Sequence, residues 1–201
     1  LVHGPTFHYS AYCQRHFHRS NKRFNTFHFI TTGQRRYRTI EFMQQLLIIG
    51  KVWPEPNSSA AGSRTLQLID VFKEQGWKIN FACAAGESLY ATNLENSGVH
   101  QFNIEINNSD FAELLKTLQP DLVIFDRFTT EEQFGWRVAE ICPKALRVLD
   151  TIDLHCLRSA RQLAVKENRN LVLRDILKLD VAKREIASIY RCDISLMISG
   201  V

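Results

Sequence analysis

A chain of 201 residues with 45% hydrophobic and 23% charged content has the size for one domain with a substantial core and the composition of an ordinary globular protein. No apolar run approaches the roughly 20 residues of a membrane helix, and no charged-then-apolar signal peptide opens the chain, so a cytoplasmic protein is the default expectation. The net charge of +4 is unevenly placed: seven Lys or Arg and one acid, Glu41, precede Met43, and 18 basic residues face 20 acidic ones after it.

Residues 1–42 differ from the rest. They hold five of the seven histidines and six of the thirteen phenylalanines, with scattered basic residues and no sustained hydrophobic period. An acid-poor, Arg-containing stretch of this kind resembles a mitochondrial presequence, and basic residues interleaved with aromatics are also what nucleic acid attracts. His16 and His18 have metal-ligand chemistry. The chain opens with Leu, and Met43 stands just before the first strand, so residues 1–42 are expected to be a disordered or artefactual extension and 43–201 the domain. Five cysteines, Cys13, Cys83, Cys142, Cys156 and Cys192, are odd in number, scattered and without a C-x-x-C pair. They read as reduced, mostly buried thiols rather than a disulfide framework or a zinc ribbon.

Leu46 to Ile49 is a short continuous apolar run ending at Gly50, the pattern of a strand covered on both faces. A loop from Lys51 to Gly62 follows, carrying Pro54, Pro56, Asn57, Ser58 and Ser59, residues that break regular structure. From Ser63 the period is helical, with Leu66, Ile69 and Phe72 on one face until Gly76. Lys78 to Ala84 alternates as a second strand. Gly86 and Glu87 lead into a predicted helix ending near Gly98, and Val99 to Ile106 reads as a third strand. Asp110 is the expected cap of a helix carrying Phe111, Leu114, Leu115 and Leu118. Leu122 to Phe125 is a fourth, wholly apolar strand, and a helix over about Glu131 to Ile141 is closed by Pro143. Ala145 to Leu149 is a fifth strand. A long helical region then follows, with a break expected at Lys166 to Asn170 and one apolar face through Val172, Ile176, Leu179, Ala182, Ile186 and Ile189. Ile194 to Ile198 is the last strand.

Strands alternating with helices at this spacing predict an α/β fold with a doubly wound, mostly parallel sheet and right-handed crossovers. Ligands of such sheets bind outside the carboxyl ends of the strands. Four stretches therefore matter most. In the first, the strand–loop–helix unit presents Gly62, Ser63 and Arg64 near a helix start, where N–H groups and a guanidinium favour phosphates. Asp126 and Arg127 leave the fourth strand, either as ligand-facing side chains or as a salt-bridged pair that orders a loop. Ala84 to Glu87 leaves the second strand. Asp150 to Arg161 brings two carboxylates, one imidazole and two guanidiniums together. Within it His155 and Arg158 share a helical face, and an imidazole beside a carboxylate is suited to accept a hydroxyl proton. Asp150 serves equally well as a helix cap. The chain has no G-x-G-x-x-G, no G-x-x-x-x-G-K-[ST] and no G-x-S-x-G, which speaks against dinucleotide enzymes, P-loop ATPases and α/β-hydrolases.

Three stretches, Leu47-Ile-Ile-Gly-Lys-Val-Trp-Pro-Glu-Pro-Asn-Ser-Ser-Ala-Ala-Gly-Ser-Arg64, Pro120-Asp-Leu-Val-Ile-Phe-Asp-Arg127 and Leu149-Asp-Thr-Ile-Asp-Leu-His-Cys-Leu-Arg158, resemble in this order the N-terminal half of a GT-B-fold glycosyltransferase. The nearest group is the large retaining one labelled group 1 or family 4, and the likeness spans about Gln44 to Ser199. The resemblance implies a Rossmann-like acceptor-side lobe of an enzyme, of the hexosyltransferase type, that moves a sugar from a nucleotide-sugar donor to a hydroxyl-bearing acceptor. On that implication Asp153 and His155 are the catalytic candidates, and Gly62, Ser63, Arg64, Asp126, Arg127 and Arg158 bind substrate. The nucleotide sugar is a co-substrate, and no further cofactor or metal is expected. The resemblance also implies a C-terminal donor-binding lobe as partner. Cys192 to Ser199 looks like the strand that precedes it, but Gly200-Val201 follow and no E-x7-E donor motif occurs, so this chain alone is expected to be an inactive fragment. The competing expectations are a non-catalytic α/β binding module, with RNA held by residues 1–42, and another nucleotide-binding α/β enzyme. Neither nucleic acid nor a membrane span is expected for the domain.

Overall fold

The apolar run at Leu46 to Ile49 lies at the centre of the sheet. The computed structural model describes the backbone of residues 10–13 and the full residues 44–86 and 90–197. In chain order its elements are β1 (Ser10–Cys13), β2 (Gln45–Gly50), α1 (Ala60–Glu74), β3 (Lys78–Cys83), β4 (His100–Asn103), α2 (Asp110–Leu118) and β5 (Leu122–Asp126). They continue with α3 (Phe128–Ile141), β6 (Leu146–Asp150), α4 (His155–Lys166), α5 (Leu173–Leu177), α6 (Asp180–Arg191) and β7 (Ile194–Met197). The strand order is β1-β7-β6-β5-β2-β3-β4, with β2 to β7 all parallel and β1 antiparallel to β7. Of the 1–42 extension only Ser10–Cys13 falls within the described residues; His16 and His18 lie outside them.

The chain begins this parallel sheet in the middle, winds outward through β3 and β4, and returns to β5 on the other side of β2. That reversal makes the β2–β5 crevice the topological switch point, the place where open α/β sheets open to ligands. Burial on both faces explains why the strands read as continuous apolar runs. Leu47, Ile49, Val123, Phe125 and Leu149 join Phe111, Leu115, Phe134 and Val138 of α2 and α3 in one core. Their neighbours Leu46, Ile48, Leu122, Ile124 and Val148 join Ile69 of α1, with Trp53 and Phe81, in another. The period of two thus sends alternate residues into two layers, and the architecture is a doubly wound α/β sheet. Among the described residues no helix is long and apolar enough to cross a membrane.

Several boundaries differ from the sequence expectations. Helix α1 starts at Ala60, not Ser63, because Ser59 is its N-cap and the Ser59 Oγ accepts from the Gly62 N–H at 3.0 Å. Between β3 and β4 the predicted helix is not found in residues 90–98, and Glu87 lies outside the described residues. A 3-10 turn at Glu95–Ser97 stands there instead, because the Asn93 carboxamide accepts from the Glu95 N–H at 3.0 Å and turns the backbone locally. The third strand is shorter than expected, since Ile106 is 47% exposed and Asn107 turns with φ 64°. Asp110 is the first helical residue of α2 and not its cap, its N–H donating to Asn108 Oδ1 at 3.0 Å. Helix α3 starts at Phe128, directly after the one-residue turn at Arg127. The long helical region is three helices. A break at Lys178–Leu179 shifts the helical phase, so the buried face of α6 is Ala182, Glu185 and Ser188, while Val172 and Ile186 are exposed.

Candidate functional site at the carboxyl edge of the sheet

At the switch point the Lys51 N–H, leaving β2, donates to Asp126 Oδ2 at the end of β5 at 3.1 Å. Asp126 is buried, and its Oδ1 has no hydrogen-bond partner among the described residues, with Arg127 Nε 3.7 Å away. Burial pushes the Asp126 carboxyl above its ordinary range, and nearby Asp150 adds to this, while Arg127 and the Lys51 N–H pull it partly back. The two acids are register partners across β5 and β6. Arg64 grips Asp150 with Nε at 2.7 Å and a second guanidinium nitrogen at 2.9 Å. This is a bidentate pair with both residues under 10% exposed.

The Gly62-Ser63-Arg64 stretch is therefore built into the fold. A Cβ on Gly62 would lie 2.6 Å from the Glu55 backbone, so this glycine lets α1 press against its own preceding loop. The Ser63 hydroxyl donates to Pro56 O at 3.1 Å. The Arg64 guanidinium ties α1 to the end of β6. These residues close the loop onto the helix and the helix onto the sheet.

The turn after β6 has a different character. Thr151 is held to β7, its N–H and hydroxyl both reaching Leu196 O, at 3.1 and 2.9 Å. Ile152 adopts φ 58°, a left-handed conformation that crowds a β-branched side chain and is found where surrounding structure enforces it. Arg127 across the edge has φ 71°, so both site turns carry strained backbone. Beyond Ile152, Asp153 is partly exposed; one carboxylate oxygen lies 3.0 Å from an Arg158 guanidinium nitrogen and the other 3.5 Å from His155 Nε2. The His155 ring is mostly covered and meets Phe128 edge to face at 5.2 Å. Burial, helped by the Arg158 charge, lowers the His155 pKa against the opposing pull of Asp153 and Glu185, so the imidazole is neutral at pH 7.

Helix α4 has no side-chain cap from its own segment. Glu185 of α6 supplies one: its two carboxylate oxygens accept from the His155 and Cys156 N–H groups, each at 2.9 Å. Glu185 is 1% exposed and fixes the start of α4, and with it the backbone of His155. In front of this turn opens a cavity of about 490 Å³ whose wall includes Asp153, Arg158 and Arg161 but not His155. Asp153 thus borders the cavity directly, and His155, outside its wall, lies 3.5 Å from one Asp153 carboxylate oxygen.

The structure brings Asp153, His155 and Arg158 together as one cluster. A second contains Arg64 with Asp150, next to Asp126 and Arg127. Sequence reasoning missed Glu185, although a lone carboxylate between Ala182 and Ile189 on an apolar stripe is a legible signal. It also passed over Arg161 as a wall residue. The described cysteines, Cys83, Cys142, Cys156 and Cys192, are free and buried; burial pushes the Cys156 and Cys192 thiols up to about 12, so neither is a nucleophile at neutral pH. Among the described residues no group of three or more His, Cys, Asp or Glu is placed to hold a metal ion. Compared with known proteins, the chain matches no protein-family model and no curated protein.

Proposed function

We propose that this domain is the acceptor-side lobe of a nucleotide-sugar glycosyltransferase. The observation that carries the reading is convergence. The three stretches that resemble such enzymes end at one carboxyl edge of one doubly wound sheet, where Arg64 meets Asp150 across 86 residues and Asp126 lies in register with Asp150. The Asp153–His155–Arg158 cluster opens beside them.

In this reading an acceptor hydroxyl binds against Asp153. Its oxygen forms the new bond to the anomeric carbon of the donor, the proton passes to the Asp153 carboxylate, and the bond to the diphosphate breaks with its electron pair leaving on the nucleoside diphosphate. Arg158 and neutral His155 hold the Asp153 carboxylate in one orientation, which is where catalytic advantage from positioning arises. The amino end of α1, at the same edge, presents its dipole to the developing negative charge of the leaving group. The donor is a co-substrate held chiefly by a second lobe, and closure of the two lobes excludes water.

The test uses the product of the whole gene that contains these residues, incubated with UDP- and GDP-hexoses and a panel of hydroxylated acceptors. Acceptor-dependent release of nucleoside diphosphate is expected. Absence of release across the panel, together with no thermal protection by any of the nucleotide sugars, would overturn the reading.

A further inference from the structure

The wall of the cavity before α4 combines two chemical kinds of side chain: the guanidinium groups of Arg158 and Arg161, three residues apart on α4, and the apolar Leu154, Leu157 and Met197. Its volume of about 490 Å³ falls within the range of about 300–1,000 Å³ typical of small-molecule sites. Charge is not balanced there. Asp153 is the acid of the wall, and it is engaged by Arg158 at 3.0 Å. Arg161 is exposed, and no carboxylate among the described residues lies within ion-pair distance of it. The start of α4 is not open to a ligand anion through its first N–H groups, because Glu185 already accepts from His155 and Cys156. The cations of the wall are the Arg158 and Arg161 guanidinium groups, and guanidinium grips phosphate and carboxylate oxygens in pairs.

We propose that the cavity binds an anionic amphiphile: a hydroxyl-bearing compound with a phosphate or carboxylate group against Arg161 and Arg158 and an apolar portion against Leu154, Leu157 and Met197. This deepens the transferase reading, on which it rests for the ligand's role as acceptor, by naming the acceptor's chemical class. The anionic group sets the register, the apolar portion fills the wall left by the two leucines and the methionine, and a hydroxyl is delivered to Asp153. A neutral sugar or a purely inorganic anion uses only part of this surface.

Calorimetric titration of the purified protein with octyl phosphate below its micellar concentration, with octyl glucoside and with inorganic phosphate tests the idea. Octyl phosphate is expected to bind, more tightly than either of the others. The affinity should fall about tenfold or more in Arg161→Gln, recover largely in Arg161→Lys, and fall also in Leu157→Ser. Circular dichroism checks that each variant is folded. Equal binding of octyl glucoside removes the anionic requirement, and equal binding of inorganic phosphate removes the apolar one. Octyl phosphate binding that is absent, or unchanged in folded Arg161→Gln, overturns the proposal outright. The two readings separate cleanly. Sugar transfer without octyl phosphate binding sinks the amphiphile site alone, whereas Arg161-dependent binding by a whole gene product that turns over no nucleotide sugar upholds the site and sinks the transferase.

Discussion

Two turns at the same edge of the sheet use similar residues to different ends. The Lys51–Arg64 turn holds a glycine, a serine and an arginine at a helix start, the composition of an anion-binding loop. Yet each is engaged within the fold: Gly62 against the Glu55 backbone, Ser63 with Pro56 O and Arg64 with Asp150. The turn after β6 has strained backbone at Ile152, a partly exposed carboxylate at Asp153 and the exposed Arg161 on a cavity wall. What distinguishes a binding surface from a structural joint is thus which polar groups remain uncommitted, and residue type at a strand end does not decide it. A buried bidentate pair stiffens the first turn, while the second keeps its charges toward solvent.

Arg64→Met is the severest challenge to this contrast. Removing one partner of a buried ion pair leaves Asp150 uncompensated and is expected to cost about 3–5 kcal/mol, whereas Arg64→Met combined with Asp150→Leu should recover much of the loss. Urea denaturation of the single and double variants reads both. A ligand-gripping Arg64 would instead show little change in stability and a loss confined to binding. Asp153→Asn should behave in the opposite way: unfolding free energy within about 0.5 kcal/mol of the parent, because the side chain is 41% exposed, but, on the transferase reading proposed above, kcat of the whole gene product for sugar transfer lower by about 10²-fold. Should Asp153→Asn destabilise the fold and leave turnover per folded molecule intact, the two turns would be alike in being structural.

Glu185→Ala probes the link between the second turn and the rest of the molecule. It uncaps α4 and strips two N–H groups of their acceptor, an expected loss of about 1–3 kcal/mol, measurable by denaturant unfolding. Glu185→Gln, which retains one carbonyl oxygen, should lose less. If both variants match the parent, α4 is held by its packing alone.

The sequence made the fold legible because the strands are buried on both faces and punctuated by Pro and Gly, so their existence and order follow from local patterns. The edge residues were legible for the same reason: Asp126 ends β5, Asp153, His155 and Arg158 lie in the turn and first helical residues after β6, and a strand's carboxyl end needs no tertiary information to locate. The partnerships were not. Arg64 finds Asp150 across 86 residues and Glu185 reaches α4 across 30, distances at which spacing carries no geometry. The start of α1 was missed because Ala60-Ala61-Gly62 has no apolar period. The α6 face was misplaced because one uninterrupted helix was drawn through Leu179, where the backbone leaves helical geometry with ψ 135°.

Asp126, which accepts from the Lys51 N–H where the first turn begins, and His155 of the second turn predict opposite responses to pH. Burial raises the Asp126 carboxyl above its ordinary 3.8, so the folded state holds this proton more tightly than the unfolded chain. Its contribution is present at low pH and is lost as pH rises from about 4 through the raised value. His155 is shifted down from 6.5 by burial and by Arg158. The unfolded chain then binds this proton more tightly, so stability is retained above about pH 6.5 and is lost as pH falls toward the lowered value. In urea unfolding between pH 4 and 8 the two groups should therefore act in opposite directions, Asp126 lowering stability as pH rises from about 4 and His155 raising it as pH climbs toward about 6.5. Asp126→Asn should flatten the decline toward higher pH, because the amide carries no charge to bury while its oxygen still accepts from the Lys51 N–H. His155→Gln should flatten only the decline below about pH 6.5. A His155→Gln profile parallel to the parent's would mean that the imidazole titrates alike in folded and unfolded chains, and the second turn would lose its claim to a neutral histidine set beside Asp153.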